Sequence, residues 1–449
     1  MAPENGPLPL SSLLLLLALF FGQLSFLSAQ ITIPVARQPF PPHHSASQSA
    51  AKAAYFSSFV EGGSASTAVP LSGGNLPLGL FLVNVSLGTP PVDVPVIIDT
   101  GSSLCFVQGP DCTSCPGPSV CQNSPFSGGS SCPYAGPTYD PLVSSTAVTD
   151  PPCGRCAAPG GIGDTGCLGR GYSENGTCQF EIGFGSGNAA GKYVQDTVSV
   201  GGVSSGEARI FLGTTTFQAG FEQGAAGLFG FGPTATSLPF QLKEAGALPS
   251  STFALCLASG HSTGGTLFLG GVPTQPDGSP YAVTYTGPLL QNPSVEFAIP
   301  SATDVLVNGV PVPGAAAKME RDAERGSKWI VDSGTTLTFL ETPIYNSLFG
   351  AIQLATGCLH SVSLGGLDYV DLTTCNPPFL TFSDGEISAR FPTLTLQLQG
   401  TQAIARPASY TSRSQNAMGP FVHPGIANGG EGNGTWVIGD SFLTDNLVR

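Results

Sequence analysis

Two stretches of this 449-residue chain, set more than 200 residues apart, repeat one another. Residues 97–108 read IIDTGSSLCFVQ and residues 330–341 read IVDSGTTLTFLE. They share Ile, Asp, Gly, Leu and Phe at matched positions, with Thr/Ser, Ser/Thr and Val/Leu exchanges between. Each copy is followed at a distance by an apolar-apolar-Gly run, Leu228-Phe229-Gly230 and Val437-Ile438-Gly439. Short-period repeats mean solenoids. Two copies this far apart, with the same closure downstream, point instead to two lobes related by a pseudo-twofold axis.

In each copy an apolar strand leads into Asp-(Thr/Ser)-Gly-(Ser/Thr). Gly101 and Gly334 permit the tight turn that lifts a carboxylate to the edge of a core, and Ser102 and Thr335 supply short hydroxyls within reach of its oxygens. Placing the copies face to face sets Asp99 beside Asp332. Two touching carboxylates cannot both ionise cheaply, so the pair holds one proton over a wide acidic range. The ionised partner then serves as base toward a shared water, and the protonated one polarises a carbonyl as acid. One such tetrapeptide alone reads as ordinary turn chemistry; two, each embedded in an apolar strand of a matching half, read as a site.

The composition suits a β-rich frame. Charged residues make up only 10% and hydrophobic residues 41%, with 60 glycines and 40 prolines, which argues against disorder and against helical bundles. From Leu76 onward short β-branched and aromatic runs alternate with Gly and Pro: 79–86, 94–98, 193–200, 252–257, 266–269 and 392–398. The best helical signal is 343–355, with Pro in its first turn. A net charge of −14 repels phosphates and excludes a nucleic-acid partner.

These motifs resemble those of pepsin-like aspartic endopeptidases, and the cysteine-rich insertion is similar to that of the plant and protist branch typified by nepenthesins. The resemblance runs from about Leu78 to Leu443. It includes Leu87-Gly88-Thr89-Pro90-Pro91, Gly227-Leu228-Phe229-Gly230-Phe231-Gly232, the run TLFLGG at 266–271, and Val437-Ile438-Gly439-Asp440-Ser441-Phe442. It implies an all-β, bilobal pepsin-like fold with a cleft between pseudo-twofold lobes. It further implies that Asp99 and Asp332 are the catalytic pair, that Ser102 and Thr335 orient their outer oxygens, and that Thr100 and Ser333 tie the two loops by crossed hydrogen bonds. The expected product is a monomeric enzyme acting on protein or peptide substrates, with neither cofactor nor metal. The family's flap carries Tyr before a Gly-x-Gly turn. Here that position is Phe184, ahead of Gly185, and the Trp that would meet the Tyr is replaced by Phe106, so both ends of one hydrogen bond are absent together. Members also continue into further strands beyond the point where this chain stops, at Arg449, so a truncated C-terminal lobe is expected.

The remaining segments divide as follows. Residues 13–21 read LLLLLALFF, the length of a signal-peptide core and too short to span a bilayer; a signal peptide over 1–29 is expected, with a signal anchor as the rival, and no later membrane span. Residues 30–75 read as a linker or a propeptide, 76–250 as the N-terminal lobe with a Cys-rich insertion over about 109–178, and 251–449 as the C-terminal lobe. Cys112, Cys115, Cys121, Cys132, Cys153, Cys156, Cys167 and Cys178 crowd into that insertion. Zinc is the competing reading of its two CxxC pairs, but thirty-seven residues separate them, against roughly 15–20 in the usual ribbon, and disulfides in an oxidising compartment are expected. Cys358 and Cys375 make a further candidate bridge, while Cys105 and Cys256 lie in apolar runs. Asn175 and Asn433 are sequons in Gly-rich loops; Asn84 is a third, in an apolar run whose neighbours are expected to hide it. A secretory destination follows, extracellular or an acidic vacuole-like compartment.

Two rivals stand beside the peptidase. The run 260–264 (GHSTG) matches the serine-hydrolase elbow, which needs a strand before it and a helix after it; the run that follows is strand-like, so a hairpin loop is expected. Pepsin-like chains in plants also serve as proteins that bind and inhibit other hydrolases, usually with damaged motifs.

Overall fold

A computed structural model of the chain describes residues 34–37, 66–74, 79–112, 115, 138–149, 151, 179–185, 187–219, 225–259, 264–273, 284–285, 296–300, 302–416, 419–431, 435–444 and 446–448. The repeat seen in the sequence is built as a repeated sheet. In the first lobe the order is β1 (Leu80–Leu87), β2 (Val92–Asp99), β7 (Gly227–Gly230), β3 (Cys105–Gln108), β6 (Ile210–Ala219) and β5 (Asn188–Asp196), with β4 (Gln179–Gly183) paired to β5. In the second lobe it is β8 (Ala298–Pro300), β9 (Lys328–Val331), β12 (Thr435–Ile438), β10 (Thr338–Leu340) and β11 (Ile426–Asn428).

The strand senses match as well as the order. β7 runs parallel to β2 and antiparallel to β3, and β12 runs parallel to β9 and antiparallel to β10. β1 and β8 flank their partners antiparallel, while β6 and β11 pair parallel to β3 and β10. The apolar-apolar-Gly run therefore slots between the strand that ends in the aspartate and the strand that follows its turn. Glycine ends each slot because the backbones nearly touch. A Cβ on Gly230 would lie 2.4 Å from the Ser103 carbonyl carbon, and one on Gly439 would lie 2.3 Å from the Leu337 oxygen.

The chain is all-β and bilobal, with the lobes joined by a shared sheet. Thr67–Gly74 pairs with β1 on one edge and with Gly265–Leu269 on the other; the sheet continues through Phe253–Leu257, Asn446–Val448, Pro34–Arg37 and Thr284–Tyr285. Two parts of the 30–75 segment are thus hydrogen-bonded strands of the fold rather than linker. Phe253–Leu257 and Gly265–Leu269 form a hairpin in register Phe253↔Leu269 to Leu257↔Gly265. A strand, not a helix, follows the GHSTG run, whose residues 260–263 lie outside the described residues.

The described helices are short. The signal at 343–355 becomes the helix Thr342–Thr356, closed by Gly357 at φ +72° and burying Ile344, Tyr345, Leu348, Phe349 and Ile352. Ala315–Glu324, Leu238–Glu244 and Asp384–Arg390 are further helices. No described helix is long and apolar enough to cross a membrane. Asn84, expected to be hidden, is exposed: it is the outward residue of the β1 alternation, between buried Val83 and Val85. Asn175 and Asn433 lie outside the described residues.

Cys358 and Cys375 form a disulfide with Cα atoms 3.9 Å apart, and Cys112 is bonded to Cys115 with Cα atoms 5.5 Å apart. That bond removes the first CxxC from the zinc alternative. Cys121, Cys132, Cys153, Cys156, Cys167 and Cys178 lie outside the described residues. Cys105 and Cys256 are buried thiols, and burial pushes the Cys105 thiol up to about 12.

Candidate active site

Each aspartate ends an apolar strand and is caught by its own turn. Asp99 closes β2, whose Val96, Ile97 and Ile98 are buried. Gly101 N–H donates to Asp99 Oδ1 (2.8 Å), and the Ser102 hydroxyl donates to Oδ2. Asp332 follows β9 with the same pattern: Gly334 N–H donates to Oδ1 (2.7 Å) and Thr335 Oγ1 to Oδ2 (2.5 Å).

Four crossed hydrogen bonds hold the loops face to face. Thr100 Oγ1 donates to Val331 O (2.8 Å) and accepts from Ser333 N–H (2.9 Å). Ser333 Oγ donates to Ile98 O (2.8 Å) and accepts from Thr100 N–H (3.2 Å). Thr100 is 2% exposed and Ser333 is fully buried, so these bonds are shielded from water. Approach is closest at the two glycines. A Cβ on Gly101 would lie 2.5 Å from Asp332 Cγ, and one on Gly334 would lie 2.6 Å from Asp99 Oδ1. Each loop's glycine leaves room for the other loop's carboxylate.

Asp99 is only 3% exposed. Burial, then the Asp332 charge and a hydrogen bond to Asp332, hold its carboxyl well above the usual carboxylate range, with the donors Ser102 and Gly101 pulling the other way. Asp440, also buried, is raised in the same sense, by burial first and then by the charges of Asp332 and Asp99. In the sequence Asp440 stands only within the run 437–442, which implies no role for it. Its signal was a charged residue placed directly after an apolar-apolar-Gly run.

The segment expected to be a flap is a hairpin of β4 and β5, in register Gln179↔Lys192 to Gly183↔Asn188, and its turn is closed by Phe184 N–H donating to Gly187 O (2.6 Å). Phe184 is half-buried, with its ring centroid 6.1 Å from that of Phe106, and Phe106 stands 6.0 Å from Phe180. Ring contact occupies the place where the resemblance leads one to look for a hydrogen bond. Gly185 is exposed at the tip. Around these rings Leu80, Leu82, Ile97, Leu104, Tyr193 and Leu228 form a small core of their own.

Comparison with known proteins agrees with this geometry. The family model described as xylanase inhibitor N-terminal matches residues 81–271, and the one described as xylanase inhibitor C-terminal matches 301–449. Aspartic proteinase nepenthesin-2 of Nepenthes gracilis is 30% identical over 327 residues, covering 72% of this chain and 64% of that protein. The chain belongs to the pepsin-like aspartic proteases of the plant nepenthesin type. Within that family, aspartic proteinase nepenthesin-1 of Nepenthes gracilis is 30% identical over 60% of this chain and 55% of its own length. Aspartyl protease 25 of Oryza sativa subsp. japonica is 28% identical over 77% of this chain and 73% of its own length. This pepsin-like chain thus spans less than two thirds of the nepenthesins it matches.

Proposed function

We propose that the protein is an aspartic endopeptidase that hydrolyses peptide bonds at acidic pH through a water molecule activated between Asp99 and Asp332. The observation that carries the reading is the mutual approach of the two loops, each glycine lying against the other's carboxylate. In that geometry the pair bears a single negative charge over the acidic range, and the raised proton affinity of Asp99 marks where the remaining proton is favoured. The ionised carboxylate takes a proton from water as it attacks the peptide carbonyl, and the protonated one supplies a hydrogen bond and then a proton to the carbonyl oxygen. Ser102 and Thr335 fix the outer oxygens, Thr100 and Ser333 fix the separation, and Phe184 with Gly185 covers the peptide. Scarcity of Lys and Arg limits positive charge build-up in acid, which suits such a compartment.

The same reading takes residues 1–29 as a secretory leader, followed by a segment removed on maturation, and delivers a monomer to an acidic extracellular or vacuolar space. Thr67–Gly74 is paired on both edges, so a cut on its N-terminal side keeps that strand in place while releasing Pro34–Arg37.

A second reading, a protein that binds another hydrolase without cleaving, is favoured by the inhibitor descriptions of the matched family models and by Phe184 and Phe106. Cleavage of an unfolded protein between pH 3 and 5 decides between them. Activity that disappears in Asp99→Asn and is blocked by a statine-type inhibitor supports the peptidase. No cleavage at any pH, with tight binding of a partner hydrolase, overturns it.

A further inference from the structure

A cleft of about 330 Å³ in the C-terminal lobe is lined by residues of the helices Ala315–Glu324 and Thr342–Thr356 and of the turns that begin and end the first. That volume falls within the span of small-ligand sites. Lys318, Arg321 and Arg325 face it from one side, and Pro343, Ile344 and Ser347 from the other. Three of the chain's 15 basic residues thus share one small cleft, in a protein with 29 acidic ones, and no acid lines it.

Helical spacing builds the basic wall. Residues three and four apart share a helix face, so 318, 321, 322 and 325 form one stripe. Within it Lys318 is already neutralised, since it bonds to Asp322 at 2.5 Å and to Glu341. Arg321 and Arg325 are exposed, and among the described residues no carboxylate pairs with either. Glu320 and Glu324 belong to the same helix but do not reach the cleft. The two arginines stand one turn apart, about 6 Å along the axis. Like charges four residues apart weaken a helix, and an anion held between them reverses that effect.

The facing wall favours the same charge. No side chain caps the first turn of Thr342–Thr356, so the positive end of that helix adds to the field. The Ser347 hydroxyl has no partner among the described residues and is a further donor. Pro343 and Ile344 bring apolar surface beside the charges, which lowers the local screening.

We propose that this cleft is a binding site for a tetrahedral oxyanion, a phosphate or sulfate group, held by the guanidinium forks of Arg321 and Arg325 and by Ser347. A single fork satisfies both oxygens of a planar carboxylate. Two forks on successive turns, with a hydroxyl opposite, suit a group that presents oxygens on several sides. The inference does not depend on the peptidase reading, because none of these residues belongs to the active loops.

The test titrates the full chain with sodium phosphate, sodium sulfate, O-phosphoserine or sodium acetate, with ionic strength held constant by chloride, and follows the arginine Nε–H signals by nitrogen-15 NMR. Saturable shifts of Arg321 and Arg325 are expected with phosphate and sulfate, and none with acetate. Arg321→Gln and Arg325→Gln should each weaken Kd at least about 10-fold, the scale of lost hydrogen bonds to a charged group. Lys243→Gln, which removes an exposed base paired with Glu244, should leave Kd unchanged. Both arginines are exposed and unpaired, so their variants should unfold like the wild type in chloride. Tighter binding of O-phosphoserine than of phosphate means that the group arrives as an ester on a larger ligand, and the reverse means a free ion; either supports the site. Shifts that never saturate, acetate binding as tight as that of phosphate, or an unchanged Kd in the arginine variants would overturn the inference.

Discussion

Replacing Thr100 by Val keeps most of the side-chain volume and deletes one hydroxyl. That hydroxyl donates to Val331 O at 2.8 Å and accepts from Ser333 N–H at 2.9 Å. Both partners belong to the other lobe, and with Thr100 2% exposed and Ser333 fully buried, water cannot readily replace the lost bonds. A buried donor or acceptor left unsatisfied costs about 1–3 kcal/mol, so leaving two of them is expected to destabilise by about 2–6 kcal/mol. The effect on catalysis is separate. Loosening the clamp lets the loops drift, and a displacement of about 1 Å between reacting groups costs about 100-fold. Urea unfolding and kcat/KM at the acidic optimum measure the two losses. Ser333→Ala, which deletes the mirror-image pair of bonds to Ile98 O and Thr100 N–H, should give a similar result. The double variant should lose less than the sum, because the second clamp holds little once the lobes have separated. Stability of Thr100→Val within about 0.5 kcal/mol of the wild type, with kcat/KM unchanged, would refute the claim that these bonds set the loop separation.

Other outcomes follow from the same geometry. Gly334→Ala and Gly101→Ala put a methyl 2.6 Å from Asp99 Oδ1 and 2.5 Å from Asp332 Cγ; each should cut peptide cleavage at least about 100-fold while far-ultraviolet circular dichroism stays native. Burial lowers His423 from 6.5 to about 4. A base whose folded value is depressed destabilises the native state as pH falls from 6.5 to about 4, by about 3 kcal/mol in all. His423→Asn, which can still accept from Gly425 N–H, should flatten the fall in unfolding free energy across that window. Asp99 works in the opposite direction: its raised proton affinity favours the fold in acid, and that contribution is lost as pH rises. Asp99→Asn should therefore be the more stable protein at pH 7 but not at pH 3. Removing the Cys358–Cys375 bridge, which spans 17 residues, should cost about 3 kcal/mol in chemical denaturation.

Much of the architecture could be read because the chain says it twice. The matched strand orders of the two lobes follow from the paired Asp-(Thr/Ser)-Gly-(Ser/Thr) and apolar-apolar-Gly motifs, and local glycine chemistry explains why each closure strand fits its slot. What escaped was decided by distant partners. The four-residue strand Pro34–Arg37 has too short a pattern to announce itself and exists because Asn446–Val448 and Thr284–Tyr285 pair with it. Asn84 was expected to be hidden because its neighbours are apolar, yet strand alternation turns it outward. The helix Ala315–Glu324 had a usable signal in Lys318 and Asp322, an i,i+4 pair joined at 2.5 Å, overlooked in a chain so rich in turns. At the site, the facing of the two loops was legible from the repeat. The burial of Asp440 behind the second loop was not, because its placement depends on the close passage of Gly439 against Thr335.

Carbon-13 labelling of the aspartate carboxyls, followed by NMR from pH 3 to 7, observes the shared proton directly. The pair is expected to bear one negative charge over the acidic range, with Asp99 retaining its proton well above the usual carboxylate range, and the signals of the two carboxyls are expected to respond together. Independent titration of the Asp99 carboxyl at its ordinary value, indifferent to Asp332→Asn, would contradict it.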